Sequence, residues 1–154
     1  MTRFPARCLL VLALCALLCA GGAASAAGRE MVLVASGGVD LDPLSRTELR
    51  RLFLGVPVEQ GSRPLVAVTN RSDELLYEVF LQKVVFMSAR TYERQLVSRV
   101  LHQGGRRLAE IDSSEEVGRT LRERPGAVTY MWKTDAEADP QVQIIQTLGQ
   151  GAPR

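Results

Sequence analysis

Arg71, Ser72 and Asp73 follow directly on the apolar run Pro64–Thr69 (PLVAVT) and stand just ahead of a helical pattern. A guanidinium at the point where a buried strand meets a helix start can clamp an oxyanion through two parallel hydrogen bonds. The helix start adds free N–H groups and the positive end of a dipole. The chemistry open to these residues is therefore anion binding. Ser36 and Gly37, which close the first apolar run, are a second candidate contact on the same opening as Arg71. One feature weighs against the site. Asp73 and Glu74 are first-turn acids that stabilise a helix by themselves and repel a bound anion, and Arg71 could simply pair with one of them.

Other chemistry has little to stand on. His102 is the single histidine and follows Leu101 at the end of a helical pattern, where imidazoles more often cap carbonyls than catalyse. Gly-x-Ser-x-Gly, a Walker loop and a dinucleotide fingerprint are all missing from the sequence. The acids are scattered over helix starts and loops, so capping explains them better than a paired-carboxylate mechanism. Trp132, at a strand end, reads as a packing residue. Neither an enzyme nor a bound cofactor or metal is expected.

The elements that must position Arg71 are clearly marked. Ser45 and Glu48 have the spacing of a capping box, and Leu44 and Leu49 occupy the positions of a hydrophobic staple. Leu49, Leu52 and Phe53 share one helix face, Gly55 suits a left-handed helix stop, and Pro57 prevents a restart. Pro64–Thr69 is apolar enough for a strand buried on both faces. Leu75, Leu76, Val79, Phe80 and Val84 place a helix over Asp73–Phe86, and Tyr92, Leu96 and Val100 place another after Ser88, ending at Gly104-Gly105. A helix with Val117 and Leu121 inward follows a cap at Asp112 or Ser113. Met31–Ser36, Ala127–Met131 and Val142–Thr147 read as strands, and Lys133–Pro140 as a charged loop. Strands separated by helices predict an α/β layer with parallel pairings: a single sheet with helices on both faces. Leu49, Leu52, Phe53, Val66, Val68, Val79, Phe80, Leu121 and Val128 are expected to be buried together around it.

In order and spacing, Leu44-Ser45, Phe53-Leu54-Gly55, the strand Leu65–Val68, Arg71 and Pro125-Gly126-Ala127-Val128-Thr129-Tyr130 resemble a known family. It is the phosphate-type solute-binding proteins of bacterial ABC transporters, within the type II periplasmic-binding-protein superfamily. The resemblance runs from about Met31 to Met131 and implies one lobe of that two-lobed fold, with the rest of the other lobe missing. It also implies that the Arg-x-Asp pair, here Arg71 and Asp73, belongs to a phosphate site. The Ser-Gly-Thr that follows in the family is replaced by Leu75, Leu76 and Tyr77.

Residues 1–26 read as a signal peptide. Arg3 and Arg7 make a basic start, Cys8–Ala20 is a short apolar core, and Ala24-Ser25-Ala26 fits a cleavage site. The core is too short to span a bilayer comfortably, and Leu14 and Leu18 are bulky where a lipobox before Cys15 or Cys19 wants a small residue. All three cysteines lie in this segment, so the mature chain expects no disulfide and no cysteine metal site. Losing Arg3 and Arg7 lowers the 19 basic residues to 17, against 17 acids. The balance gives no reason to expect nucleic acid or an acidic membrane as partner, and no span in the mature chain. Residues 27–148 are expected to form one α/β domain, and 149–154 a disordered tail. The expected function is binding of phosphate or another small oxyanion outside the cytoplasmic membrane, for an ABC-type uptake or sensing system. The alternative is a non-enzymatic interaction module that kept the lobe and lost the ligand, serving a membrane transporter or sensor.

Overall fold

The computed structural model describes residues 29–104 and 106–151; the expected signal peptide and the last three residues lie outside them. The chain runs β1 (Arg29–Ser36), α1 (Arg46–Phe53), β2 (Val58–Gln60), β3 (Arg63–Asn70), α2 (Glu74–Phe80), a π-helical turn (Leu81–Val85) and α3 (Ala89–Gln103). It continues through β4 (Ala109–Ile111), a 3₁₀ turn (Ser114–Glu116), α4 (Val117–Glu123), β5 (Ala127–Trp132), α5 (Lys133–Ala138) and β6 (Val142–Gly151).

The strands form one mixed sheet in the order β2-β3-β5-β1-β6, with β4 beside the far half of β3. β3 is parallel to β5 and to β4, as expected of strands joined by helices. β1 departs from that expectation. It lies antiparallel to both of its neighbours, because β5-α5-β6 is a crossover that carries the chain over β1 and sets it between two strands of the opposite sense.

Helices cover both faces, which splits the core in two. Met31, Leu33 and Ala35 of β1 face α1, α2, the π turn and Tyr92 of α3. Val32 and Val34 alternate to the other side, against Val117, Leu121 and Ala136 of α4 and α5. The expected common core therefore divides: Val68 and Leu121 belong to the second cluster, the rest of the buried set to the first. Val66 is the exception. It is 39% exposed, because it sits toward the start of β3 on a stretch of the second face that no helix covers. On the first face Phe80 stacks on Tyr130 at 4.0 Å, and Phe53 meets both rings edge-on at 5.0 and 5.6 Å. Such aromatic pairs add roughly 0.5–1.5 kcal/mol beyond their burial.

The start of α1 follows its sequence signals. The Ser45 hydroxyl accepts from the Glu48 N–H, and Glu48 Oε2 accepts from the Ser45 N–H at 2.8 Å. Gly55 ends the helix with φ 75°. Three other expectations need correction. Lys133–Ala138 is a helix, not a loop: Lys133, Ala136, Glu137 and Ala138 are good helix formers, and buried Ala136 docks it on the sheet. The helix from Asp73 gives way at Leu81 to a π-helical turn. The final strand reaches Gly151, because β1 starts at Arg29 and its first three residues need partners; Gly149, Gln150 and Gly151 supply them in place of a disordered tail.

Candidate functional site

β3 and β5 are registered through Val66 with Ala127 and Ala67 with Val128. Past that point side chains bridge the two strands. Thr129 Oγ1 donates to the Val68 carbonyl at 2.7 Å, Asn70 Nδ2 to the Tyr130 carbonyl at 2.9 Å, and the Tyr130 hydroxyl to the Asn70 carbonyl at 2.7 Å. Asn70 is buried, and its Oδ1 also accepts from the N–H and the hydroxyl of Ser72 at 3.0 and 2.7 Å. One side chain thereby ends the strand and shapes the turn that holds Arg71, Ser72 and Asp73. An Asn at the end of an apolar run, able to form a local Asx turn, was the signal for it.

Asp73 is committed to the fold. Its Oδ1 accepts from the Leu76 N–H at 2.9 Å and caps α2; its Oδ2 accepts from Trp132 Nε1 at 3.1 Å and lies 3.7 Å from Arg29. Partial burial opposes the charge, but the hydrogen bonds from Leu76, Trp132 and Leu75, with Arg29 behind them, prevail and hold the carboxyl below its usual range. Asp73 and Ser72 line a cavity of about 150 Å³ together with Asn70, Ser114, Trp132 and Asp135. With Asp73 and Asp135 as its charged lining, that cavity does not suit an anion.

Arg71 turns elsewhere. Its N–H donates to the Ile111 carbonyl of β4 at 2.7 Å, and its guanidinium lies 5.0 Å above the Tyr77 ring. Nη1 donates to Glu93 Oε1 at 3.3 Å and stands 3.8 Å from Glu110 Oε2. Desolvation works against the cation, yet Tyr77, Glu110 and Glu93 outweigh it and raise its pKa. The Arg71 side chain is 39% exposed at the mouth of a groove of about 400 Å³ between α3 and β4. Leu96, Val97, Val100, Leu101 and Leu108 wall this groove, with Arg107 and the two glutamates at its rim. Glu93 and Glu110 come from α3 and β4, far along the chain, and nothing local in the sequence pointed to them.

Ser36 and Gly37 are not brought to this place. Met31 pairs with Trp132 and Ala35 with Val128, so β1 runs away from the Arg71 end as it approaches Ser36. Five residues of strand put Ser36 about 16 Å from that end. There Ser36 pairs with Val142, and the Gly37 N–H donates to the Gln141 carbonyl at 2.8 Å. Among the described residues no cluster of His, Cys, Asp and Glu could hold a metal ion, and no helix is long and apolar enough to cross a membrane.

No model of a protein family matches the chain, and no curated protein does. Among solved structures it is similar to an ABC-type phosphate transport receptor from Vibrio cholerae, with 14% identity over 79% of this chain and 47% of that one, at a TM-score of 0.49. It is also similar to PstS from Borrelia burgdorferi, with 11% identity over 73% of this chain and 44% of that one, at a TM-score of 0.49. A third likeness is to the AvGluR1 ligand binding domain in complex with glutamate, with 12% identity over 83% of this chain and 44% of that one, at a TM-score of 0.47. The chain spans a little under half the length of each. These are likenesses of fold, and they say nothing of what this chain binds.

Proposed function

We propose that this chain is a non-enzymatic binding protein that takes a small organic oxyanion at Arg71, a carboxylate or phosphate borne on an apolar body. The observation that carries this reading is the joining of a partly exposed guanidinium to the aliphatic wall of the α3–β4 groove. An incoming oxyanion must displace Glu93, which is more than half exposed and can swing into water. That exchange replaces one anion by another, so the charge adds little net affinity, but without Arg71 the carboxylates of Glu93 and Glu110 would be left to repel the ligand. Burying on the order of 100 Å² of apolar surface on Leu96, Val97, Val100 and Leu101 would contribute about 2–3 kcal/mol. Free phosphate or sulfate has no body to bury and should bind poorly. The oxyanion expected from the sequence is in this way narrowed to an organic one. Export through the segment of residues 1–26, and a membrane transporter or sensor as the protein served, belong to the same reading and rest on the sequence features and the resemblance they carry.

Calorimetry with phosphate, sulfate, acetate, hexanoate and hexyl phosphate tests it. Affinity should rise with the apolar chain and vanish in Arg71→Ala. Phosphate binding as tightly as hexyl phosphate, or binding untouched by Arg71→Ala, would sink it. A second reading is favoured by the compensation of Arg71 and by Leu101, which is 73% exposed: the groove serves as the face of an interaction module. No heat with any of the five anions leaves that reading standing.

A further inference from the structure

A row of exposed positive charge lies on α1, away from Arg71. Arg46, Arg50 and Arg51 are exposed there, and none of the three stands in an ion pair among the described residues. Glu48, the one acid of α1, is turned back into its capping box with Ser45. Arg50 Nε donates to the Val85 carbonyl at 3.2 Å, which fixes its guanidinium beside the π-helical turn. Arg46 and Arg50 stand one turn apart, where like charges weaken a helix, and no carboxylate of the described residues forms an ion pair with either.

Phe86 faces the same arginines and is unusual in its own right. It is 56% exposed and has φ 58°, the left-handed region that a bulky residue enters only where its surroundings impose it. The preceding π turn and the hydrogen bond from the Met87 N–H to the Leu81 carbonyl, at 3.1 Å, impose it here. A glycine would make this turn without strain. The phenylalanine instead holds a ring in water at the edge of a hollow of about 310 Å³, lined by Arg46, Thr47, Arg50, Arg51, Leu54 and Phe86. Strain that displays an apolar ring beside three unpaired cations calls for an occupant.

We propose that this hollow docks an acidic segment of a partner protein, with one apolar or aromatic side chain of the segment against Phe86 and Leu54 and carboxylates beside it on Arg46, Arg50 and Arg51. Charge complementarity selects an anionic partner. Spacing selects an extended chain: Arg46 and Arg50 are about 6 Å apart along the helix axis, close to the roughly 7 Å between alternate side chains of a strand. A small anion would leave two of the arginines unanswered. A single exposed aromatic is too little apolar surface to hold the protein on a membrane. The hollow shares no residue with the Arg71 groove, so each stands or falls alone.

The test is an NMR titration of the labelled mature protein at low salt. The probes are a capped glutamate heptapeptide with a central tryptophan, the same peptide with a central alanine, inorganic phosphate, and phosphatidylglycerol vesicles. The tryptophan peptide should shift the amides of α1 and Phe86 and bind about tenfold more tightly than the alanine peptide. The double variant Arg46→Ala with Arg51→Ala should weaken it by about tenfold, the sum of two exposed charge contacts. Phe86→Gly should weaken it similarly while Tm holds or rises, since glycine relieves the left-handed turn; a ring needed only for packing would lower Tm instead. The proposal is overturned if the peptide fails to bind, if its affinity ignores these substitutions, or if its shifts map to the Arg71 groove. Phosphate matching the peptide, or vesicles binding through the same arginines in preference to it, would overturn it as well.

Discussion

Arg71 and Asp73, separated in the chain only by Ser72, face different cavities: the guanidinium reaches the α3–β4 groove, and the carboxylate caps α2 beside Trp132. An Arg-x-Asp pair that looks like one site in the sequence therefore divides between the groove and the cap of α2. Asp73→Ala should cost about 1–3 kcal/mol, for the lost cap and the stranded indole N–H. It should leave affinity at the groove unchanged. Arg71→Ala should do the reverse, abolishing ligand binding at a cost below about 1 kcal/mol, because its ion pairs are exposed. Urea unfolding and calorimetry on both variants check this; equal effects of the two on binding would join the residues in one site again.

Asp73 also sets an acid limb of stability. Its folded pKa is lowered, so its charged form favours the native state. That contribution is complete above the unfolded value of about 4 and is lost as pH falls through the lower folded value. The stability gap between wild type and Asp73→Asn should be flat from neutral pH down to about pH 5 and close below about pH 4. Denaturation midpoints across this range would show it, and a gap that widened in acid would refute the assignment.

Phe53 is fully buried against Phe80 and Tyr130, and its carbonyl accepts from the Tyr92 hydroxyl at 2.8 Å. Phe53→Ala should cost about 3–5 kcal/mol, with Phe53→Leu well below that. A urea midpoint for Phe53→Ala close to wild type would show that the aromatic cluster is not where the stability lies.

Gly126 opens β5 with φ 79°, and a Cβ there would clash with the Pro64 carbonyl of β3. The Val66 N–H donates to the Gly126 carbonyl at 2.9 Å, so the clash falls where the two strands first join. Gly126→Ala should lose about 2–4 kcal/mol, from the left-handed backbone and the collision together. Gly61→Ala serves as control, since it shares the positive φ but meets open space. Equal losses at the two sites would leave the collision without effect.

Export predicts a mature N-terminus close to Ala27, set by the basic start and Ala24-Ser25-Ala26. Mass spectrometry of the protein recovered outside the cytoplasm reads it directly. A full-length, membrane-retained product contradicts it.

What the sequence determined by itself was local. The capping box at Ser45 and Glu48 and the glycine stop at Gly55 form through contacts within a few residues, and the apolar runs of β1, β3 and β5 are marked as strands by their own composition, so spacing was enough to find them. Sheet-with-two-helix-layers followed from alternating elements for the same reason. Tertiary structure decided what depends on partners far along the chain. β1 runs against β5, which sends Ser36 and Gly37 to the far end, and no feature of MVLVAS specifies its sense of pairing. On the second face the start of β3 is uncovered, which exposes Val66 although its pattern matches that of Val68, while Leu65 beside it is buried on the first. The direction of Arg71 was decided by Glu93 and Glu110, which only the fold brings within reach. A side chain's type states what it can bind; what it does bind depends on which long-range neighbours the packed core sets beside it.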